Sequence, residues 1–143
     1  MTRVDFYIST TSNPDNELVT ACRLADKAYQ LGHRIYIHTA DQHQAEHIDN
    51  LLWTFRDSSF IPHCMDVDAD ANEHPVVIGH GDSPSEVRDV LINLAADIPS
   101  FFSRFERVAE VVNGKEELRE ASRQRFRFYK ERGYELNTHE IKD

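Results

Sequence analysis

Short apolar, β-prone runs alternate with helical patterns along most of this chain. The first run, Val4 to Ile8, precedes a helical repeat of apolar residues that ends at Gly32. A second run, Arg34 to His38, precedes a helix from about Asp41 to Leu52. Strands that alternate with helices in this way predict an α/β fold built on a mainly parallel sheet.

The rest of the chain extends the same pattern. Asn13 and Asp15 are both candidate caps for the first helix. Further segments are predicted as a loop at Thr54–Met65, strands at Pro75–Ile78, Asp89–Leu94 and Val108–Val112, a short helix at Ile98–Phe105, and a final helix at Lys115–Arg132 that Gly133 ends. We therefore expect one three-layer Rossmann-like domain over residues 1–143, with about five strands and helices on both faces.

Composition limits the class of protein. No apolar run approaches the roughly 20 residues that span a bilayer, and the start, Met1 to Asp5, lacks the apolar core of a signal peptide. The two cysteines form no disulfide framework, and Cys22 fits a helical core position. A cytoplasmic protein is expected. The net charge of -9 argues against general nucleic-acid binding, so any link to DNA is expected to be indirect.

Glycine placement argues against a nucleotide site. The turn after the first strand, Ser9 to Pro14, contains no glycine, and neither a dinucleotide fingerprint nor a P-loop is present. Gly79-His80-Gly81 follows a strand, but a loop and another strand come next. The order of elements alone leaves a small Rossmann-like nucleotide- or phosphate-binding enzyme as the alternative function.

Other catalytic and metal signals are weak. His43 and His47 have zinc-compatible helical spacing, but no second spaced pair accompanies them. His63 beside Cys64 is adjacency in sequence and does not make a catalytic dyad. We therefore predict a noncatalytic protein without cofactor or metal.

Basic residues concentrate near the end of this acidic chain. Seven of its 16 lysines and arginines lie there: Lys115, Arg119, Arg123, Arg125, Arg127, Lys130 and Arg132. Helical spacing places Arg119, Arg123, Phe126, Arg127 and Lys130 on one face. That face is either a local binding site for an acidic partner or a solvated surface, since glutamates are interspersed.

Large apolar residues form a second candidate site. Trp53 ends a predicted helix, and Phe60 and Pro62 follow in a short loop that could bring Phe60 beside Trp53. Such residues are typical anchors of protein interfaces. Trp53 could equally cover the core beneath its own loop.

Several of these segments together resemble a known family. Val4-Asp5-Phe6-Tyr7, Leu52-Trp53 with Phe60-Ile61-Pro62-His63, and Gly133-Tyr134-Glu135-Leu136-Asn137-Thr138 stand in an order similar to that of the chi subunit of bacterial DNA polymerase III. The resemblance covers essentially the whole chain. It implies an α/β sandwich without a nucleotide site and a noncatalytic accessory role in the clamp-loader assembly.

The resemblance also implies partners and residues. The acidic C-terminal tail of single-stranded DNA-binding protein would meet Arg123 centrally, with Arg119 and Arg127 flanking, while Val112 and Phe126 would line an apolar pocket. The psi subunit would meet a second surface, which a helicase-like protein can also use. That surface would comprise Trp53, Phe60, Pro62 and His63. The acidic stretch from Asp66 to Glu73 receives no role.

Overall fold

The computed structural model describes residues 2–9, 13–55, 61–66, 74–81, 84 and 88–141. The strands are β1 (Arg3–Ser9), β2 (Ile35–Thr39), β3 (His63–Met65), β4 (Val76–His80), β5 (Val90–Asn93), β6 (Arg107–Val112) and β7 (Glu135–Ile141). The helices are α1 (Pro14–Gln30), α2 (Gln42–Thr54) and α3 (Glu116–Glu131). The expected turn residues Thr11 and Ser12, the loop residue Phe60 and the acidic stretch 67–73 lie outside the described residues.

The strands form one sheet in the order β3-β4-β2-β5-β6-β1-β7, and every neighbouring pair is parallel. The α/β class and the parallel sheet are thereby confirmed. The predicted number of strands was too low, because seven are present in the described part of the chain. The two missed strands are β3, within the segment predicted as a loop, and β7, after the last predicted helix.

Both missed strands lie at an edge of the sheet, and this explains why the pattern did not reveal them. β3 has only three residues, and β7 reads ELNTHEI, with most of its side chains polar and exposed or half-buried. Edge strands that are short or polar resist pairing with other chains, but they lose the apolar signature of a buried strand.

Local chemistry sets the helix ends. The Asn13 side chain accepts a hydrogen bond from the Asp15 amide at 3.0 Å, so Asn13 is the cap and Asp15 lies in the first turn. Asp41 caps α2 in the same way through the Gln44 amide at 2.8 Å. Gly32 follows α1 at φ 86°, a left-handed conformation that glycine adopts without steric cost.

The sheet separates two apolar cores, which confirms the three layers. In β2, Ile35 and Ile37 pack against α1 and α2, while Tyr36 points to the opposite core. That second core also contains Tyr129 of α3. The predicted short helix between β5 and β6 is reduced to a 3₁₀ turn at Phe102–Arg104, which packs in this second core.

β4 continues past its predicted end at Ile78 and includes Gly79 and His80. A Cβ at Gly79 would overlap the Tyr36 hydroxyl of the neighbouring strand, so the glycine leaves room for that ring. Its register partner in β2 is His38. The glycine here serves packing within the sheet and does not mark a loop.

Candidate functional site

A groove of about 390 Å³ runs between α3 and the carboxyl ends of β1 and β7, and we call it the α3–β7 groove. Its lining residues are Ile8, Ser9, Arg119, Ser122, Arg123, Thr138, His139 and Glu140. α3 is amphipathic: Ser122, Arg125 and Tyr129 are buried beneath it, and Arg123, Arg127 and Lys130 face solvent. The groove therefore lies along the border between the buried and exposed faces of the helix.

The two arginines of the groove differ in their surroundings. Arg119 is half-buried, and its Nε is enclosed without a hydrogen-bond partner among the described residues. The Arg123 side chain is 57% exposed and lies 3.1 Å from Glu120 and 3.9 Å from Glu116. Exposed ion pairs of this kind are weak. Arg119 therefore presents an unused buried donor, and Arg123 can exchange its glutamates for another anion at small cost.

Not all the residues predicted to bind the acidic tail meet in this groove. Phe126 is half-buried and packs edge-on against Phe6, with 5.4 Å between ring centroids. Val112 is buried and lines a separate cavity of about 80 Å³ with Leu118. Arg127 is exposed and is not among the lining residues. The structure thus brings Arg119 and Arg123 together and places Val112 elsewhere.

The Trp53 surface lies at the end of α2, next to β3. Trp53 is 51% exposed, and its ring centroid lies 4.4 Å from that of His63, which is buried. The His63 ring nitrogens lie 2.6 Å from the Ile61 carbonyl oxygen and 3.1 Å from that of Asp49. Pro62, beside His63, is half-buried. The half-exposed indole of Trp53 therefore packs against the imidazole of His63, which these two carbonyl oxygens hold in place.

Among the described residues, no group of three or more histidines, cysteines or carboxylates is placed to hold a metal ion. His43 and His47 are both exposed on α2, as expected of solvated helix residues. Within the same part of the chain, none of the helices is long and apolar enough to cross a membrane.

Comparison with known proteins decides the family. The model of the family described as "DNA polymerase III chi subunit, HolC" matches residues 1–137. The chain belongs to this family. It is 46% identical over 141 residues to DNA polymerase III subunit chi of Pseudomonas aeruginosa, a match covering 99% of this chain and 98% of that protein. The fold and both surfaces described above are therefore those of a chi-family protein.

More distant members match as well. Identity to subunit chi of Escherichia coli is 30% over 118 residues, covering 82% of this chain and 80% of that protein. Identity to subunit chi of Haemophilus influenzae is 29% over 137 residues, covering 95% of each chain. The family match includes Trp53, all of α3 and the first three residues of β7.

Sequence reasoning missed a buried polar cluster beneath α3. Glu110 in β6 is fully buried, and its carboxylate accepts hydrogen bonds from Arg125 Nε at 3.2 Å, Asn93 Nδ2 at 2.9 Å and Tyr129 Oη at 2.7 Å. Arg125 also donates to the Ala96 carbonyl at 2.6 Å. A signal was present, since Glu110 interrupts the apolar run of β6 and a buried carboxylate requires partners.

Burial raises the pKa of the Glu110 carboxyl, and the Arg125 guanidinium opposes that rise. This cluster holds the Arg125 side chain toward the core. Among the described basic residues of α3, Arg125 is the one that is buried. The cluster consequently fixes how α3 sits on the sheet and which of its arginines border the α3–β7 groove.

Proposed function

We propose that this protein is a noncatalytic accessory subunit of the DNA polymerase III clamp-loader complex and acts in the cytoplasm during DNA replication. It joins the psi subunit, and through psi the loader, to single-stranded DNA-binding protein. The acidic C-terminal tail of that protein binds in the α3–β7 groove. DNA is reached only through these partners. The observation that carries the proposal is the buried Nε of Arg119 beside Arg123, which has no hydrogen-bond partner in the described part of the chain.

The chemistry of the groove suits the end of an acidic peptide. Guanidinium groups bind carboxylates through charge-assisted and often bidentate hydrogen bonds. Two of them converge here in a chain whose net charge is -9. Ile8 adds an apolar surface at the same groove. Glu140 also lines it and disfavours negative charge on that side, so the tail's acidic residues lie toward α3.

The test is calorimetry with a synthetic acidic peptide that ends in proline and phenylalanine. We expect Arg123→Ala to weaken binding by about 1.5–3 kcal/mol, the scale of a hydrogen bond to a charged group. We expect Arg119→Gln to weaken it by a similar amount, because its buried donor would lose the tail. Arg104→Gln is the matched control, since Arg104 is exposed on the 3₁₀ turn and does not line the groove.

Unchanged affinity in folded Arg119 and Arg123 variants would refute the site. Binding should also weaken as salt rises, because partly exposed charges are screened. Loss of binding with the Arg104→Gln control alone would point to a different surface.

For psi, we propose the Trp53 surface, with Pro62 and His63 beside Trp53 and Phe60 as a further contact. A half-exposed indole on a rigid support is the kind of residue that dominates interface energies. Trp53→Ala should weaken psi binding by about 2 kcal/mol or more and leave the free energy of unfolding nearly unchanged. A helicase-like protein that uses the same surface should compete with psi.

Leu118→Ala is the matched control for Trp53→Ala, because Leu118 is also a large exposed apolar residue but lies on α3. Size-exclusion chromatography of the mixed subunits provides the measurement. If the Trp53 variant still co-elutes with psi as the unmodified chain does, the surface has been wrongly assigned.

A further inference from the structure

A further cavity, of about 240 Å³, lies on the opposite side of the sheet from α3. It opens between the last two turns of α1 and the amino ends of β1, β5 and β6, and we call it the α1 cleft. Its apolar wall includes Leu24 and Ala28 of α1 and Ile92 of β5. Leu31, which is 65% exposed, stands at its rim. Nothing in the proposed function uses this cleft.

Cationic side chains converge on the same cleft. Lys27, Arg107 and Arg3 all line it. Lys27 and Arg107 are exposed and form no ion pair with another described residue. The Arg3 Nε is buried and makes no hydrogen bond to any residue that the structure describes, although carboxylate oxygens of Asp5 and Glu135 lie at 3.5 and 3.4 Å. Positive charge therefore remains available to a ligand.

The acidic groups around the cleft are already engaged. Asp5 is the acidic residue among those lining the cleft, and it lies 3.1 Å from His139 Nε2 as well as near Arg3. Asp89 lies beside the cleft, 3.4 Å from His33 Nδ1. Three permanent cations thus face one lining carboxylate, with Glu135 as a further carboxylate beside Arg3, so Lys27 and Arg107 carry most of the available positive charge.

Tyr7 adds a neutral donor and an aromatic surface. Its ring is stacked on His139 with 4.7 Å between centroids, and it is half-buried in the cleft. A tyrosine hydroxyl is protonated at neutral pH, and burial, assisted by Asp5, raises the pKa of the Tyr7 phenol further. An apolar wall with a few convergent polar groups is the usual composition of a small-molecule site.

We propose that the α1 cleft binds a small organic anion whose carboxylate or phosphate meets Arg107, Lys27 and Arg3 while its apolar body packs against Leu24 and Ile92. The volume is below the roughly 300–1,000 Å³ of drug-sized sites, which limits the body to about one ring or a short branched chain. The site does not depend on the proposed tail binding, since its body lies across the sheet from α3, although His139 of β7 borders both the cleft and the α3–β7 groove.

The test is an amide-resolved NMR titration of the full chain with four probes. Phenylacetate and phenylphosphonate carry a ring and an anion, phenylacetamide carries the ring without the charge, and acetate carries the charge without the ring. We expect the two aromatic anions to shift amides at the end of α1 and the start of β1. The amide should bind at least about tenfold more weakly because it loses a charge-assisted hydrogen bond. Acetate should also bind at least about tenfold more weakly, because it loses the burial of the ring.

Variants at exposed positions identify the contacts without endangering the fold. Arg107→Gln and Lys27→Gln should each weaken phenylacetate binding by roughly fivefold to tenfold. Arg104→Gln, which removes the same charge outside the cleft, should have no effect. Stronger binding of the phosphonate would indicate a phosphate ligand, and stronger binding of phenylacetate a carboxylate.

Four results would overturn the proposal. The first two are equal affinity for phenylacetamide and phenylacetate, and unchanged affinity in both cleft variants. The others are shifts that map away from α1 and β1, and an absence of shifts at millimolar probe.

Discussion

The cluster at Glu110 provides a strong test of how α3 is held. Glu110 is fully buried and its partner Arg125 has a side chain only 9% exposed, with 3.2 Å between Nε and Oε1. At that separation, unit charges in a medium of effective dielectric about 20 attract by roughly 5 kcal/mol. Desolvation of both groups offsets much of that attraction, so the pair adds little net stability while making each partner dependent on the other.

Removing one partner should therefore be costly. Arg125→Met leaves the Glu110 carboxylate buried with only the Asn93 and Tyr129 donors. The expected loss is about 3–5 kcal/mol, a large part of the 5–15 kcal/mol that typically stabilises a folded domain. In a Glu110→Gln background Arg125 is a buried cation without its counter-ion, so replacing it with Met removes that charge as well as its hydrogen bonds, and the change should cost only about 1 kcal/mol.

A double-mutant cycle measured by urea denaturation compares these two costs. The coupling between positions 110 and 125 should be about 2–4 kcal/mol, the difference between the two costs of Arg125→Met. Urea midpoints and slopes should be recorded for all four proteins, because a changed slope would signal a changed unfolded or native state. Additive effects within about 0.5 kcal/mol would refute the reasoning that Arg125 is retained to neutralise Glu110.

Three further outcomes are expected. Burial lowers the pKa of His38, so the unfolded chain takes up a proton at this histidine before the folded protein does as pH falls below about 6.5. The free energy of unfolding should therefore decline with falling pH. His38→Phe should reduce this pH dependence, measured by urea denaturation between about pH 5 and 7. Gly79→Ala should lose about 1–3 kcal/mol of stability because its methyl group meets the Tyr36 hydroxyl, and adding Tyr36→Phe should restore part of that loss on denaturation. Burial raises the pKa of Cys22 to about 12, so iodoacetamide at pH 8 should modify this thiol in denaturant but not in the native protein. Peptide mass spectrometry provides the measurement, and modification of the native protein would contradict the burial of Cys22.

Regular apolar patterns made most elements predictable. The central strands β1, β2, β4, β5 and β6 are apolar runs because both of their faces are buried, and the structure contains all five close to the predicted positions. Helical periodicity identified α1, α2 and α3, and Asn13 was correctly proposed as a cap. β3 and β7 were missed because their pairing depends on neighbours distant in the sequence and not on their own apolar content.

The candidate sites were predictable in part. Trp53 was expected either on an interface or over the core, and the structure places half of its surface in solvent. The basic face of α3 was expected from spacing, but spacing does not show which of its arginines border a groove. Arg119 and Arg123 do so only because β7 lies beside α3, and β7 was not predicted.

The sequence by itself determined the α/β class, the succession of central strands and helices, and the concentration of positive charge on one helix, since each of these follows from the periodicity of neighbouring residues. The tertiary structure alone decided how α3 is rotated on the sheet. Glu110 in β6 holds Arg125 inward from a position 15 residues away in the chain, which turns Arg119 and Arg123 toward β7. A helical repeat specifies angles between side chains on one helix, but the direction of the core depends on the elements that pack against it.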